Sequence, residues 1–157
     1  MIRVLFVCLG NICRSPMAEA VFRDLVKKEE LSGKIEVDSS GTGDWHVGNE
    51  PHKGTRKILD EKKISYQGIL ARTVQAKDWD DFDYIIAMDE QNIEGLRKIR
   101  DNDDTTVIRR LMDFVEQSNV KDVPDPYYTG NFEYTYELVS EGCEQLLNYI
   151  KKQHSLT

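Results

Sequence analysis

The chain opens on a nearly unbroken apolar run, Ile2-Arg-Val-Leu-Phe-Val7, rich in β-branched and aromatic residues. Apolar side chains on both faces predict a strand buried from both sides. Gly10-Asn11 breaks the run. Ser15-Pro16 then predicts a helix start, with Ser15 as cap and Pro16 at the first helical position, where a missing N–H does no harm. That helix is expected to reach about Glu30, packing through Met17, Ala20, Val21 and Leu25. Lys34-Ile-Glu-Val-Asp38 alternates and predicts a second strand. Ser39 to Gly48 reads as a loop, and Pro51 to Lys63 as a helix. Tyr84-Ile-Ile-Ala-Met88 predicts a third strand, with Asp89 capping a helix that carries Ile93, Leu96 and Ile99. Thr106 to Leu111 is the expected fourth strand. Ser118 to Gly130 reads as a long, Pro-punctuated loop. From Asn131 to about Gln153, the positions Phe132, Tyr136, Val139, Cys143, Leu146, Leu147 and Ile150 keep helical spacing.

Strands that alternate with helices predict a parallel sheet covered on both faces, joined by right-handed crossovers. The expected architecture is a three-layer α/β fold, with a four-stranded parallel sheet in the flavodoxin-like order 2-1-3-4. Ligands of such sheets bind beyond the carboxyl ends of the strands. The loop that begins at Cys8 lies in that place.

The length of 157 residues fits a single domain, 1–157, with one sizeable core. With 21 basic against 28 acidic residues, the formal charge is −7. A surface of that sign repels phosphate backbones, so no nucleic-acid partner is expected. No apolar run approaches the roughly 20 residues that span a bilayer, and the start of the chain does not read as a signal peptide. Three cysteines make no disulfide framework and suit a reducing, cytoplasmic setting. His46, His52 and His154 complete no zinc spacing, so no metal is expected.

The chemistry concentrates in Cys8-Leu9-Gly10-Asn11-Ile12-Cys13-Arg14-Ser15-Pro16. A short loop between a buried strand and a helix N-terminus turns backbone N–H groups inward and forms an anion-binding nest. Gly10 and Asn11 are the residue types that tolerate left-handed conformations. Cys8 would lie at the bottom of the nest, where a helix N-terminus and a nearby cation favour the nucleophilic thiolate. The planar fork of Arg14 suits two phosphate oxygens. The Ser15 hydroxyl is placed to donate to the Cys8 sulfur.

Cys8-x5-Arg14-Ser15, taken with Asp125-Pro126-Tyr127-Tyr128, resembles the low-molecular-weight protein tyrosine phosphatases. Val37-Asp-Ser-Ser-Gly-Thr42, Gly48-Asn49-x-Pro51, Ala71-Arg72, Phe82-Asp-Tyr84 and Met88-Asp89 carry the likeness over essentially the whole chain. The resemblance implies that Cys8 attacks phosphorus to give a phosphocysteine. It implies that Arg14 and the loop amides hold the phosphoryl oxygens. Asp125 would protonate the departing phenolate and then activate water. Asn11, Ser15 and Ser39 would hold the loop by hydrogen bonds. This chain departs from the family at Ile69-Leu70, which precede Ala71-Arg72 where that family often has a histidine.

Trp45, Tyr127 and Tyr128 are expected to wall a cleft, with Leu9 and Ile12 as apolar floor. A deep aromatic slot favours phosphotyrosine or an aryl phosphate over the shorter phosphoserine. A phosphate dianion and a thiolate beside Asp125 would favour its protonated form, so a mildly acidic optimum is expected. Cys13 is either a small apolar loop residue or, as in some members of the family, a redox partner of Cys8. Cys143 and Trp79 are expected in the core, and Asp101 to Asp104 in a solvated loop. Related readings are an arsenate reductase, which needs further cysteines, and an arginine phosphatase, which tends to carry threonine where Ile12 stands. A phosphotyrosine-binding decoy and a phosphocarrier make no use of Asp125. No metal or organic cofactor is implied, and a monomer is expected.

Overall fold

The computed structural model describes residues 1–100 and 105–156; the expected acidic loop Asp101 to Asp104 lies outside the described residues. Strand β1 spans Ile2–Cys8, helix α1 Arg14–Lys28 and strand β2 Ile35–Gly41. Helices α2 (Lys53–Glu61) and α3 (Asp78–Asp81) follow, then β3 (Tyr84–Ala87), α4 (Glu90–Ile99) and β4 (Val107–Arg110). A 3₁₀ turn covers Leu111–Phe114, and α5 (Pro126–Thr129) precedes the long α6 (Phe132–Gln153).

The four strands form one parallel sheet in the expected order, β2-β1-β3-β4. The sheet has two apolar faces, which is why β1 reads as continuously hydrophobic. Val4, Phe6 and Cys8 point into the larger cluster, with Met17 and Val21 of α1 and Val139, Cys143 and Leu146 of α6. Leu5 and Val7 point into the smaller one, with Trp79, Ile93 and Leu96. Cys143 and Trp79 are therefore core residues, as their patterns predict. Among the described residues, no helix is long and apolar enough to cross a membrane.

Several boundaries differ from expectation, each for a local reason. Helix α1 opens at Arg14, and Ser15 is not its cap; the cap position is Cys13, whose side chain makes no capping bond. Pro16 is thus the third helical residue, still within the first turn, where a backbone N–H would have no intrahelical acceptor. The helix ends at Lys28 because Glu30 turns left-handed, with φ +59°. Strand β2 continues past Asp38 because Ser39, Ser40 and Gly41 pair with Phe6, Val7 and Cys8. Ser39 is accordingly a strand residue. The expected fourth strand is trimmed at both ends, and Leu111 already belongs to the 3₁₀ turn. The expected loop 118–130 contains α5, started by Asp125 and stopped by Gly130 at φ +73°. Asp89 caps α4 as predicted, through a full capping box with Asn92. Asn131 likewise caps α6.

Candidate active site

The chain leaves β1 at Cys8 and enters α1 at Arg14, and the loop between them is pinned from outside. Four of its carbonyl oxygens are turned away and satisfied. Cys8 O accepts from Thr42 N (3.0 Å), Leu9 O from Gly43 N (2.9 Å), and Ile12 O from His52 N (2.7 Å). Cys13 O accepts from Met17 N and from the Thr55 hydroxyl, at 3.3 and 3.1 Å. Among the described residues, none of the backbone N–H groups of Leu9 to Cys13 donates to a protein acceptor. With carbonyls out and amides in, the loop is a concave set of donors, the geometry that binds an anion.

Asn11 makes the turn possible, with φ +56°. Its side chain is a three-way tie. Oδ1 accepts from Arg72 N at 3.0 Å, while Nδ2 donates to the hydroxyls of Ser15 (2.7 Å) and Ser39 (3.0 Å). Gly10, expected to share the left-handed conformation, does not adopt it. Its role is space instead, since a Cβ there would stand 3.1 Å from Cδ2 of His46.

The Ser15 oxygen lies 3.0 Å from the Cys8 sulfur. Because Asn11 already donates to that oxygen, the single hydroxyl proton of Ser15 is free to point at sulfur. The other acceptor within reach, Ser40 O, is at 3.4 Å.

Arg14 is almost completely buried, 2% exposed, behind the loop. Nη1 donates to Asp89 Oδ2 (2.6 Å) and to Val123 O (2.8 Å), and Nη2 to Asp125 Oδ2 at 3.4 Å. Nε is buried with no partner among the described residues. Nε and Nη2 form the side-on edge of the guanidinium, the one that grips an oxyanion with two parallel bonds. Burial opposes the charge on Arg14, but Cys8, Asp89 and Asp125 outweigh it and hold its pKa above the ordinary value. Asp125 also accepts from Tyr127 N with its other oxygen (3.0 Å), so the carboxylate is aimed by the start of α5.

A cavity of about 300 Å³ opens over this loop, lined by Cys8, Leu9, Gly10, Ile12, Cys13, Trp45, His46, Asp125, Tyr127 and Tyr128. The aromatic wall expected from Trp45, Tyr127 and Tyr128 is present and open to solvent, with Trp45 67% and Tyr128 75% exposed. Tyr127 packs edge-on against Tyr128 and against His52. Burial pushes the Cys13 thiol up to about 12, helped by Cys8 and Asp125 and opposed by Arg14. The departure at Ile69-Leu70 resolves into a buried Ile69 and an exposed Leu70.

Three residues escaped the sequence reading. Asp89 was expected only as a helix cap, and Val123 not at all; both hold Arg14. His46 lines the cavity with no motif to announce it. The signal for Asp89 was present in Met88-Asp89, since a strand-end acid in an α/β sheet faces the ligand side.

Fold and site together define a class: a three-layer α/β protein with an anion-binding loop between its first strand and first helix. The family model for low molecular weight phosphotyrosine protein phosphatase matches residues 3–156, and the chain belongs to that family. It is 60% identical over 156 residues to the low molecular weight protein-tyrosine-phosphatase YfkJ of Bacillus subtilis, covering 99% of this chain and 100% of that protein. It is 46% identical over 158 residues to the protein-tyrosine-phosphatase PtpA of Staphylococcus aureus, covering 99% and 98% of the two chains. The crystal structure of YfkJ superposes with a TM-score of 0.95 at 61% identity, over 98% of this chain and 96% of that one. The protein is a protein-tyrosine phosphatase, a hydrolase of phosphoric monoesters.

Proposed function

We propose that the chain is one phosphatase domain, 1–157, that hydrolyses phosphotyrosine in proteins, and aryl phosphates, through a phosphocysteine on Cys8. The observation that carries this reading is the Ser15 hydroxyl 3.0 Å from the Cys8 sulfur, in a cavity that Asp125 also lines. In the first step the thiolate attacks phosphorus. The S–P bond forms, the P–O(aryl) bond breaks, and Asp125 gives its proton to the departing phenolate. Arg14 and the loop amides meet the charge that spreads over the equatorial oxygens. In the second step Asp125 takes a proton from water, the P–O bond forms, and Cys8 leaves as a thiolate stabilised by Ser15. Asn11, Ser15 and Ser39 keep the loop in shape. Leu9, Gly10, Ile12, Cys13, Trp45, Tyr127 and Tyr128 contact the substrate. The enzyme acts as a cytoplasmic monomer, in keeping with its acidic surface and odd cysteine count, and its nucleophile is redox-sensitive.

The test is phosphate release from a phosphotyrosine peptide and a phosphoarginine peptide in parallel, with Cys8→Ser as the blank. Release from phosphotyrosine alone, lost in the variant, is expected. Release mainly from phosphoarginine would show that Ile12 and the paired tyrosines do not set the substrate.

A further inference from the structure

Glu19 lies in the second turn of α1, behind the anion loop, and is 7% exposed. Its carboxylate has no salt bridge among the described residues. Its one hydrogen-bond partner among the described residues is the Ser39 hydroxyl, which donates to Oε1 at 2.7 Å. A buried carboxylate held only by a hydroxyl is unusual, because the charge is costly without a cation. The nearest candidates are committed elsewhere: Arg72 to Asp38 and Asp78, and Arg23 to the carbonyl of Ser65.

Ser39 is also where Asn11 anchors. The polar groups therefore run without a break from Glu19 through Ser39, Asn11 and Ser15 to Cys8, with links of 2.7, 3.0, 2.7 and 3.0 Å. Each donor in this row is fixed. Arg72 N fixes Oδ1 of Asn11, so Nδ2 must face both serines, and an ionised Glu19 can only accept.

We propose that Glu19 is a positioning residue whose ionisation, acting through space across the fixed row of Ser39 and Asn11, weakens the hold of the Cys8 loop on a dianionic phosphoryl group. Neutral Glu19 adds no charge to the loop's donors and Arg14, whose own carboxylate partners are Asp89 and Asp125. Ionised Glu19 adds a further negative charge behind them, in a medium where charges act over several ångströms. The inference rests on the reading of this loop as the phosphate site and adds the group that tunes it.

The charges that act on Glu19 are few. Burial raises its pKa from the ordinary carboxylate value to about 7; the Ser39 hydrogen bond lowers it, Asp38 on β2 raises it, and Arg23 and Arg72 lower it. Strand β1 brings the Cys8 thiol into the same row. No charged side chain of α2 or α6, the other elements packed on α1, is among the groups that shift it. The change of charge therefore falls within the working range of a cellular enzyme.

The test uses sulfate, whose charge is constant between pH 5.5 and 8.5, and compares the wild type with Glu19→Gln by chemical-shift titration. Taking the ratio cancels every other ionisation in the site. Glutamine imitates the protonated acid, so the two affinities should agree at pH 5.5. At pH 8.5 the wild type should bind sulfate about three- to tenfold more weakly than the variant. By linkage, saturating sulfate must raise the Glu19 titration midpoint of the wild type, followed by its side-chain carboxyl ¹³C resonance, by the same factor. This second measurement needs no variant. A flat affinity ratio, or a carboxyl midpoint that sulfate does not move, overturns the role of Glu19 while leaving the site intact. Sulfate binding to neither protein at any pH overturns the site reading and this inference with it.

Discussion

Asp89 uses one carboxylate oxygen for each of two jobs. Oδ1 caps α4 through Asn92 N at 2.8 Å, and Oδ2 holds Nη1 of Arg14 at 2.6 Å. The helix that follows β3 and the cation behind the β1 loop are therefore fixed by a single side chain. Because Arg14 is buried, its orientation depends on these fixed acceptors rather than on water. Asp89→Asn keeps a capping oxygen but loses the charge. We expect kcat/KM on an aryl phosphate to fall by about ten- to a hundredfold, the scale of one charge-assisted contact. Unfolding should move far less than in Asp89→Ala, which also loses the cap at about 1 kcal/mol. Equal kinetic losses in surface controls of α4 would show that the Arg14 contact does not matter.

Asp125 is aimed by Tyr127 N and sits at the cavity wall. Asp125→Asn should lower kcat/KM, which reports the first step alone, by about 10²- to 10⁴-fold for a phenol that leaves poorly. The loss should shrink as the leaving group becomes more acidic, because a good leaving group needs no proton. A loss of the same size across a series of substituted phenyl phosphates would remove the general-acid role.

The three cysteines are all free and buried, yet they differ chemically. The Cys13 thiol is pushed up to about 12, and burial also pushes the Cys143 thiol upward. Both stay protonated at neutral pH, and a thiol is a poor nucleophile. Iodoacetamide at pH 7 should therefore label Cys8 in the folded protein and spare the other two, as read by peptide mass spectrometry. Prior saturation with phosphate should protect Cys8. Faster labelling at Cys13 would contradict the picture of a single reactive thiol.

The folded-state pKa of Glu19, at about 7, lies above its ordinary value. The unfolded chain ionises first, so the wild type is most stable below the ordinary carboxylate range and loses stability as pH rises towards 7. Relative to Glu19→Gln, the loss should reach about 3 kcal/mol by pH 8 and vanish near pH 4. Denaturant unfolding at the two pH values measures it. A pH-independent difference would place the ionisation elsewhere.

Gly142 of α6 lies against the 3₁₀ turn that follows β4. A Cβ there would lie 2.5 Å from Cγ of Leu111, itself fully buried in the 3₁₀ turn. Gly142→Ala should cost about 1–3 kcal/mol in overpacking, despite alanine's better helix propensity. Leu111→Ala in the same chain should recover part of that loss if the clash is the cause. Additive losses from the two substitutions would refute it.

The strands and long helices were legible because their signals are periodic and local. Ile2–Val7 had to be buried on both faces, and the stripe from Phe132 to Ile150 could only be one helix. The nucleophile loop was legible because glycine, asparagine and the strand-to-helix change all point to a nest. Less legible were features that depend on what arrives from elsewhere. Ser15 looks like a cap in isolation, but its hydroxyl is taken by Cys8 and Asn11, so the helix starts without it. Ser39 looks like loop because serine is a poor strand former, yet pairing with Phe6 draws it into β2. Asp89, Val123 and Glu19 become site residues only through partners 75, 109 and 20 positions away in the chain.

Those separations also set an order of events during synthesis. Cys8, the nest and Arg14 leave the ribosome within the first turn of α1, long before Val123 and Asp125 exist. Until they arrive, the Arg14 cation lacks two of the acceptors that hold it in the finished site. The loop is therefore made well before the acceptors that orient its arginine, and the site is assembled only when the segment carrying Val123 and Asp125 docks.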